Sequence, residues 1–437
     1  MEETPMSRRS LLAATALIGL CAAAPAVTSK AWADDIPIGH IADLTGPTAS
    51  IGVPYADGVA DTLNWVNETG GVDGDSIAFE TYDYAYKAPQ AVSEYQRLVA
   101  NEHVVAIAGW GTADTEALIE FIGKDQIPYF SGSYSGALTD PTGKAPKATK
   151  ATPFNFFYGP SYSDACRALA QWAAEDWKKK GGQGTPKWVH MGDNHPYPNS
   201  PKAACNEYAK ELGFEVLDPI QYTMAPGDFT PQCLTLKEKG ANYAYIANIA
   251  GSTPSLLNAC ATAGTKVQFV ANVWGYDENI MKAAGANADG VVVAVRTGAI
   301  WTDKGAGMDR VREISKISDS SGQAYRPLSY LAGICATSYM VEAIKAAKAK
   351  GAVGGVAIRD AMYDRKDWVP AGLEGVCLPS TWTATDHRGL MTVPIYQGHV
   401  KGATQGKEVS ALMADGTMAL EKVGEITLPR RPEWLGY

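Results

Sequence analysis

Val104-Val105-Ala106-Ile107-Ala108-Gly109 is an almost unbroken apolar run. A strand with one wet face alternates apolar and polar residues; a continuous run this short fits a strand of a parallel sheet, covered on both faces. Its flanks agree. Pro89 to Asn101 places Ala91, Val92, Tyr95, Leu98 and Val99 at helical spacing. Asp114 to Gly123 reads as the next helix and Ile127 to Phe130 as the next strand. Upstream, Ile36 to Asp43 reads as a strand, Val53 to Asn67 as an amphipathic helix ending at Gly70-Gly71, and Ser76 to Tyr82 as a second strand. Strands and helices that alternate in this way build a doubly wound open sheet.

The pattern restarts beyond the Thr/Lys/Pro-rich loop from Thr139 to Pro153. Ser163 to Trp177 reads as a helix, followed by strands at Lys187–Met191, Phe214–Gln221, Tyr243–Asn248 and Val267–Ala271, with helices between them. Gly290 to Val295 closes this half, and Arg326 to Lys350 reads as a long helix. The tail, with strands expected near Ser380–Ala384 and Val393–Gln397, is too small to fold alone and completes one or both halves. A single core stops growing near ~250–300 residues, so a chain of 437 residues is expected to form two lobes. Ligands of such sheets bind outside the carboxyl ends of the strands. The loops to inspect therefore follow Asp43, Ile107, Phe130, Met191, Asn248 and Ala271.

The N-terminus carries an address. Arg8-Arg9 precede the apolar stretch Leu11 to Ala26, and Ala31-Trp32-Ala33 is a small-x-small cleavage signal. Residues 1–33 therefore read as a twin-arginine export signal, cleaved near Ala33, which places the mature chain in the periplasm. The competing reading is a membrane anchor, against which stand the short apolar stretch, Pro25 and the cleavage site. No other segment has 18 uninterrupted apolar residues, so no stable membrane insertion is expected. The net charge is -9 and the longest basic run is Lys178-Lys179-Lys180. An acidic chain without a basic patch is a poor partner for nucleic acid. Six cysteines follow the signal: Cys166, Cys205, Cys233, Cys260, Cys335 and Cys377. An oxidising compartment permits disulfides but leaves the connectivity open. Cys233 and Cys260 lie on helices expected to share a face of the second sheet, which makes them a candidate pair.

The chemistry of an enzyme is missing. Gly109-Trp110-Gly111 follows a strand, but position 114 is Asp, so the dinucleotide fingerprint fails. Gly132-Ser133-Tyr134-Ser135-Gly136 has Tyr where a nucleophile elbow needs Ser. The six histidines form no metal motif; His195 alone falls on a cleft loop, where a plain surface residue is the simpler reading. No catalytic set, cofactor or metal is implied.

Several segments, in order and spacing, resemble the type I periplasmic solute-binding proteins of ABC importers, in the branched-chain amino-acid and amide group. They include Ile38 to Pro47, Glu68 to Val72, Tyr82-Asp83, Pro89 to Val92, Ile127 to Ser131, Asn194 to Tyr197, Gly227 to Thr230 and Thr385 to Gly389. The resemblance covers essentially the whole mature chain. It implies an α/β fold of two doubly wound parallel-sheet lobes joined by a hinge. Lobe 1 would take residues 34–152 and 296–375, and lobe 2 residues 153–295 and 376–437. It also implies a monomer that captures a small-molecule ligand between its lobes and delivers it to an ABC transporter membrane permease.

Carried over, the site takes Trp110, Gly111, Thr112 and Ala113, where free N–H groups at a helix N-terminus suit a carboxylate. It also takes Ser133, Tyr134 and Ser135, together with Tyr197, Asn248 and Trp274. Thr112 serves equally as a helix cap, Ser133 and Ser135 as turn residues, and Tyr197 as packing. Amino-acid binders place an acid for the ammonium in the loop after Ala271. This chain has Asn272-Val273-Trp274-Gly275-Tyr276 there, with Asp277 too late. A buried ammonium without a counter-charge is expensive. Trp110, Tyr134, Tyr197 and Trp274 point instead to an aromatic or hydrophobic solute, with carboxylates among the candidates. An amino-acid receptor, a ligand sensor and a secreted α/β enzyme stand as alternatives.

Overall fold

The computed structural model describes residues 35–437, so the export signal expected at residues 1–33 lies outside the described residues. Strands β1 (Asp35–Ala42), β2 (Ser76–Asp83), β3 (Ala106–Gly109), β4 (Tyr129–Ser131) and β5 (Asn155–Phe157) form a parallel sheet in the order β2-β1-β3-β4-β5. All four residues of β3 are buried, as its apolar run requires. The second sheet takes β6 (Lys187–Gly192), β7 (Glu215–Val216), β8 (Ile220–Gln221), β9 (Tyr243–Ile246), β10 (Gln268–Ala271), β11 (Val292–Ala294), β12 (Thr392–Val400) and β13 (Met418–Thr427). Its order is β13-β12-β11-β10-β9-β6-β7, with β8 also pairing β6.

The second sheet is mixed rather than parallel throughout: β12 and β13 pair antiparallel to each other, and β12 antiparallel to β11. The two tail strands return on each other through the short helix Val409–Ala414, without a crossover helix on the sheet face, so they run antiparallel. The strand expected at Ser380–Ala384 is replaced by single bridges, Trp368 to Ser380 and Thr383 to Asp386.

Sheet membership corrects two boundaries expected from the sequence. Asn155–Phe157, placed in lobe 2 by a boundary at 152, pairs with β4 in the first sheet. Three residues are too few to show a period. In the tail, Cys377 is bonded to Cys335 of helix Leu328–Ala349, and Trp382 packs on Tyr339 of that helix. Residues 376 to about 390 are thus tied to lobe 1, and the chain joins the second sheet only at Thr392. Helix Leu328–Ala349 lies along helix Ala49–Glu68, in lobe 1. Two glycines allow the close crossing: a Cβ on Gly58 would sit 2.3 Å from the Tyr330 carbonyl, and one on Gly333 the same distance from that of Tyr55. The described chain therefore passes between lobes three times: after β5, after β11 and before β12.

Cys166–Cys205 and Cys233–Cys260 staple the second lobe. The latter joins helices Thr230–Lys239 and Thr253–Thr262, the neighbours on one sheet face expected from the sequence. Among the described residues, no helix is long and apolar enough to cross a membrane.

Candidate functional site

A narrow cavity, with free volume of only about 10 Å³, lies where the strand ends of the two sheets meet. Thr48, Tyr86, Trp110, Gly111, Thr112 and Gly132 line it from the first lobe, and Tyr162, Tyr197, Ile249 and Trp274 from the second.

The first wall is built by a hydrogen-bond relay. Asp43, fully buried just after β1, accepts from the backbone N–H groups of Gly46 (2.6 Å) and Thr48 (2.9 Å) and from the Thr48 hydroxyl. The Thr48 oxygen in turn accepts from Trp110 Nε1 at 2.8 Å, which fixes the indole. Beside it, Gly111 N–H donates to the Tyr84 hydroxyl (3.1 Å), and that hydroxyl donates to Asp114 Oδ1 (2.9 Å). Burial pushes the Asp114 carboxyl up to about 7, against the pull of the Tyr84 hydrogen bond, and the charge of Asp43 adds to the rise. Asp114 Oδ2 has no partner. The Ser133 hydroxyl donates to Thr112 Oγ1 at 2.9 Å.

The second wall turns on Asn272. Its Oδ1 accepts from the Tyr197 hydroxyl (2.7 Å) and from the Trp274 backbone N–H (2.7 Å). Trp274 then reaches across the cleft: its Nε1 donates to the Gly132 carbonyl (3.2 Å) and to the Tyr162 hydroxyl (3.1 Å). The two indoles meet at 5.1 Å between ring centroids, with Tyr55 5.0 Å from Trp110 and Tyr134 5.3 Å from Trp274. Ser135 and Ser200 also meet across the lobes at 3.1 Å, so this is a closed arrangement.

Of the residues expected from the sequence, Trp110, Gly111, Thr112, Tyr197 and Trp274 line the cavity. Ser133 and Tyr134 lie directly behind the lining, bonded to Thr112 and packed on Trp274. Ala113 is half-buried on the helix that starts at Thr112 and does not line the cavity. Ser135 donates to Glu116 and caps the turn at Ala137, the simpler of its two readings. Asn248 is a correction: its amide is spent tying strand ends together, accepting from Asp193 N–H and donating to the Tyr222 and Thr223 carbonyls. It therefore braces the second wall and does not line the cavity. Asp277 caps its own helix through Asn279 and Ile280, and no carboxylate lines the cavity. His195 is half-buried, with its ring 5.4 Å from that of Tyr86 across the lobes.

Thr48, Tyr86, Gly132, Tyr162 and Ile249 were not expected. Thr48, Gly132 and Ile249 lie on loops that the strand-end rule marks, Tyr86 falls on a loop it does not mark, and Tyr162 opens the helix Tyr162–Lys179.

A family described as periplasmic binding protein matches residues 35–406. The chain belongs to that family. Among relatives of this periplasmic binding protein, the Leu/Ile/Val-binding protein homolog 4 of Brucella abortus is 25% identical over 273 residues, a match spanning 60% of this chain and 62% of that one. The chain thus covers less than two thirds of that relative's length. The ABC transporter substrate binding protein of Aeropyrum pernix superposes with a TM-score of 0.74 at 24% identity, covering 92% of this chain and 98% of that one. A fatty acid ABC transporter substrate-binding protein from Thermomonospora curvata gives 0.76 at 18% identity, covering 92% and 96%. These two likenesses establish the type I two-lobed fold.

Proposed function

We propose that this periplasmic binding protein is an exported receptor that holds one aromatic or other hydrophobic small molecule between its lobes and passes it to an ABC import permease. It works as a monomer, after cleavage of the signal near Ala33. One observation carries the choice of solute: five aromatic rings (Tyr86, Trp110, Tyr162, Tyr197 and Trp274) line the cavity, and no carboxylate does. Rings offer apolar area and stacking, whereas the ammonium of an amino acid requires an acid in contact with it. Closure over the solute selects the closed state from an existing open–closed equilibrium.

An amino-acid receptor is the second reading. Asp114 favours it, since its unpartnered oxygen lies buried behind Gly111. Calorimetry of the purified chain against aromatic acids, aromatic alcohols and aliphatic amino acids tests both. The expected result is one site per chain, an aromatic compound as the tightest binder, and the compound recovered unchanged. Leucine binding more tightly than every aromatic compound overturns the proposal, and chemical conversion of the compound overturns the receptor role.

A further inference from the structure

Arg296 is the side chain that the site as described leaves unexplained. It follows β11 at the second crossing between lobes and is only 2% exposed. Among the described residues no carboxylate lies within 4.0 Å of it; the buried Asp277, one oxygen of which has no hydrogen-bond partner, acts on its charge from farther away. The one acceptor of Arg296 is the Val273 carbonyl, reached by Nη1, and its Nε has none. The guanidinium lies on the face of the Trp274 ring, 3.7 Å from the centroid. A buried guanidinium with a donor unspent is costly, and the stacking on Trp274 offsets that cost only in part.

Tyr134 carries a matching defect. Its hydroxyl is buried without a partner, and its ring packs 5.3 Å from Trp274. The two side chains are neighbours. A Cβ on Gly159, at the first crossing between lobes, would lie 3.2 Å from both Arg296 Cβ and Tyr134 Cε2. Two side chains that each carry a buried donor without an acceptor, one of them charged, thus pack beside Trp274, the ring that lines the cavity. Neutral solutes do not call for this arrangement. A carboxylate does, because it supplies two acceptor oxygens in direct contact, which Asp277, more than 4.0 Å away, does not.

The stacking does not compete with such a partner. Trp274 occupies the face of the guanidinium, while the N–H donors point outward in its plane. The helix N-terminus at Gly111 to Ala113, where the sequence pointed for a carboxylate, is the poorer place. Gly111 N–H is spent on Tyr84, the Thr112 hydroxyl accepts from Ser133, and the Asp114 carboxyl, whose charge repels an anion, stands beside Gly111.

We infer that Arg296, with the Tyr134 hydroxyl, is the anion-recognising group of the interlobe site, and that the solute is an aromatic or hydrophobic monocarboxylate. The inference rests on the proposed choice of an aromatic solute, and names its charged end.

The test titrates the native chain with benzoate, phenylacetate and 3-phenylpropanoate, each against its own primary amide, so that ring and size are held constant within each pair. At least one acid is expected to bind about thirtyfold more tightly than its amide. Arg296→Gln should bring that pair within about threefold of each other by weakening the acid alone. Arg296→Lys, which keeps the charge but not the planar fork, should retain part of the preference, and it serves if the Gln variant does not fold. Acids and amides binding equally, or a preference untouched in Arg296→Gln, overturns the carboxylate inference and leaves the aromatic reading standing. Binding of none of the six compounds overturns both.

Discussion

Trp110 and Trp274 face each other at 5.1 Å, yet they are held in opposite ways. Trp110 gives its indole N–H to Thr48, whose hydroxyl answers to Asp43, all within the first lobe. That relay survives when the lobes part. Trp274 gives its N–H to Gly132 on the other lobe and to Tyr162, so part of its anchorage exists only in the closed form. One wall of the site is held within its own lobe and the other is completed by closure. In a receptor, the first kind sets the shape a ligand meets, and the second couples occupancy to the motion.

The largest way to break this contrast is at Asp43. Asp43→Ala leaves the N–H groups of Gly46 and Thr48 and the Thr48 hydroxyl without their acceptor, all of them close to or inside the buried wall. Unfolding free energy should fall by about 3 kcal/mol, read from urea denaturation. Asp43→Asn, which keeps an acceptor oxygen, should lose about 1 kcal/mol. Losses below about 0.5 kcal/mol in both variants would mean that the relay does not hold the wall.

The same wall carries a charge that opposes folding. Burial raises the Asp114 carboxyl from its ordinary value to about 7. A carboxyl so raised binds its proton more tightly folded than unfolded. Its penalty is full above pH 7 and is relieved as pH falls from about 7 toward the ordinary carboxylate range. Asp114→Asn should therefore stabilise the protein by about 2 kcal/mol at pH 8, with the gain falling below half by pH 5. His40, His190 and His387, which burial holds down at about 4, 3 and 4, destabilise both proteins below pH 6.5 and cancel in the difference. A gain that does not change between pH 5 and pH 8 would show that Asp114 is ionised in the folded protein at both, and that its carboxyl is not raised.

Sequence reasoning reached the first wall and the loops of the second one unevenly, and the reasons are physical. The apolar run at Val104–Gly109 announces a strand buried on both faces, and the strand-end rule then finds Trp110, Gly111 and Thr112 without any contact being known. Trp274 is found by the same rule. Asn248 is misjudged because a buried amide at a strand end looks the same in sequence whether it binds a ligand or ties backbone together. Tyr162 and Arg296 carry no local signal. Tyr162 lines the cavity and Arg296 stacks on Trp274 because the chain crosses between the lobes beside the loop at Trp274, and that proximity is set by the packing of two sheets rather than by any period along the chain. β5 was missed for a simpler reason, since Asn155–Phe157 is too short to show its alternation.

The smallest effect is the sharpest test of the contrast. Trp110→Phe and Trp274→Phe each keep a ring in the aromatic box and each remove one indole N–H. If the first wall is internal to its lobe, Trp110→Phe lowers stability by about 1 kcal/mol, since the Thr48 oxygen loses a partner, and leaves the open–closed equilibrium alone. Trp274→Phe removes the donor that bonds Gly132 across the lobes, so the same ~1 kcal/mol should appear as a shift toward the open form of about fivefold. Fluorophores on exposed residues of each lobe, such as Val356 and Val423, report that shift by energy transfer in the ligand-free protein. Equal shifts from both variants would erase the distinction between the two walls. A shift from Trp274→Phe alone means that the second indole works as a latch, and that a solute must either replace its bond to Gly132 or gain from leaving it intact.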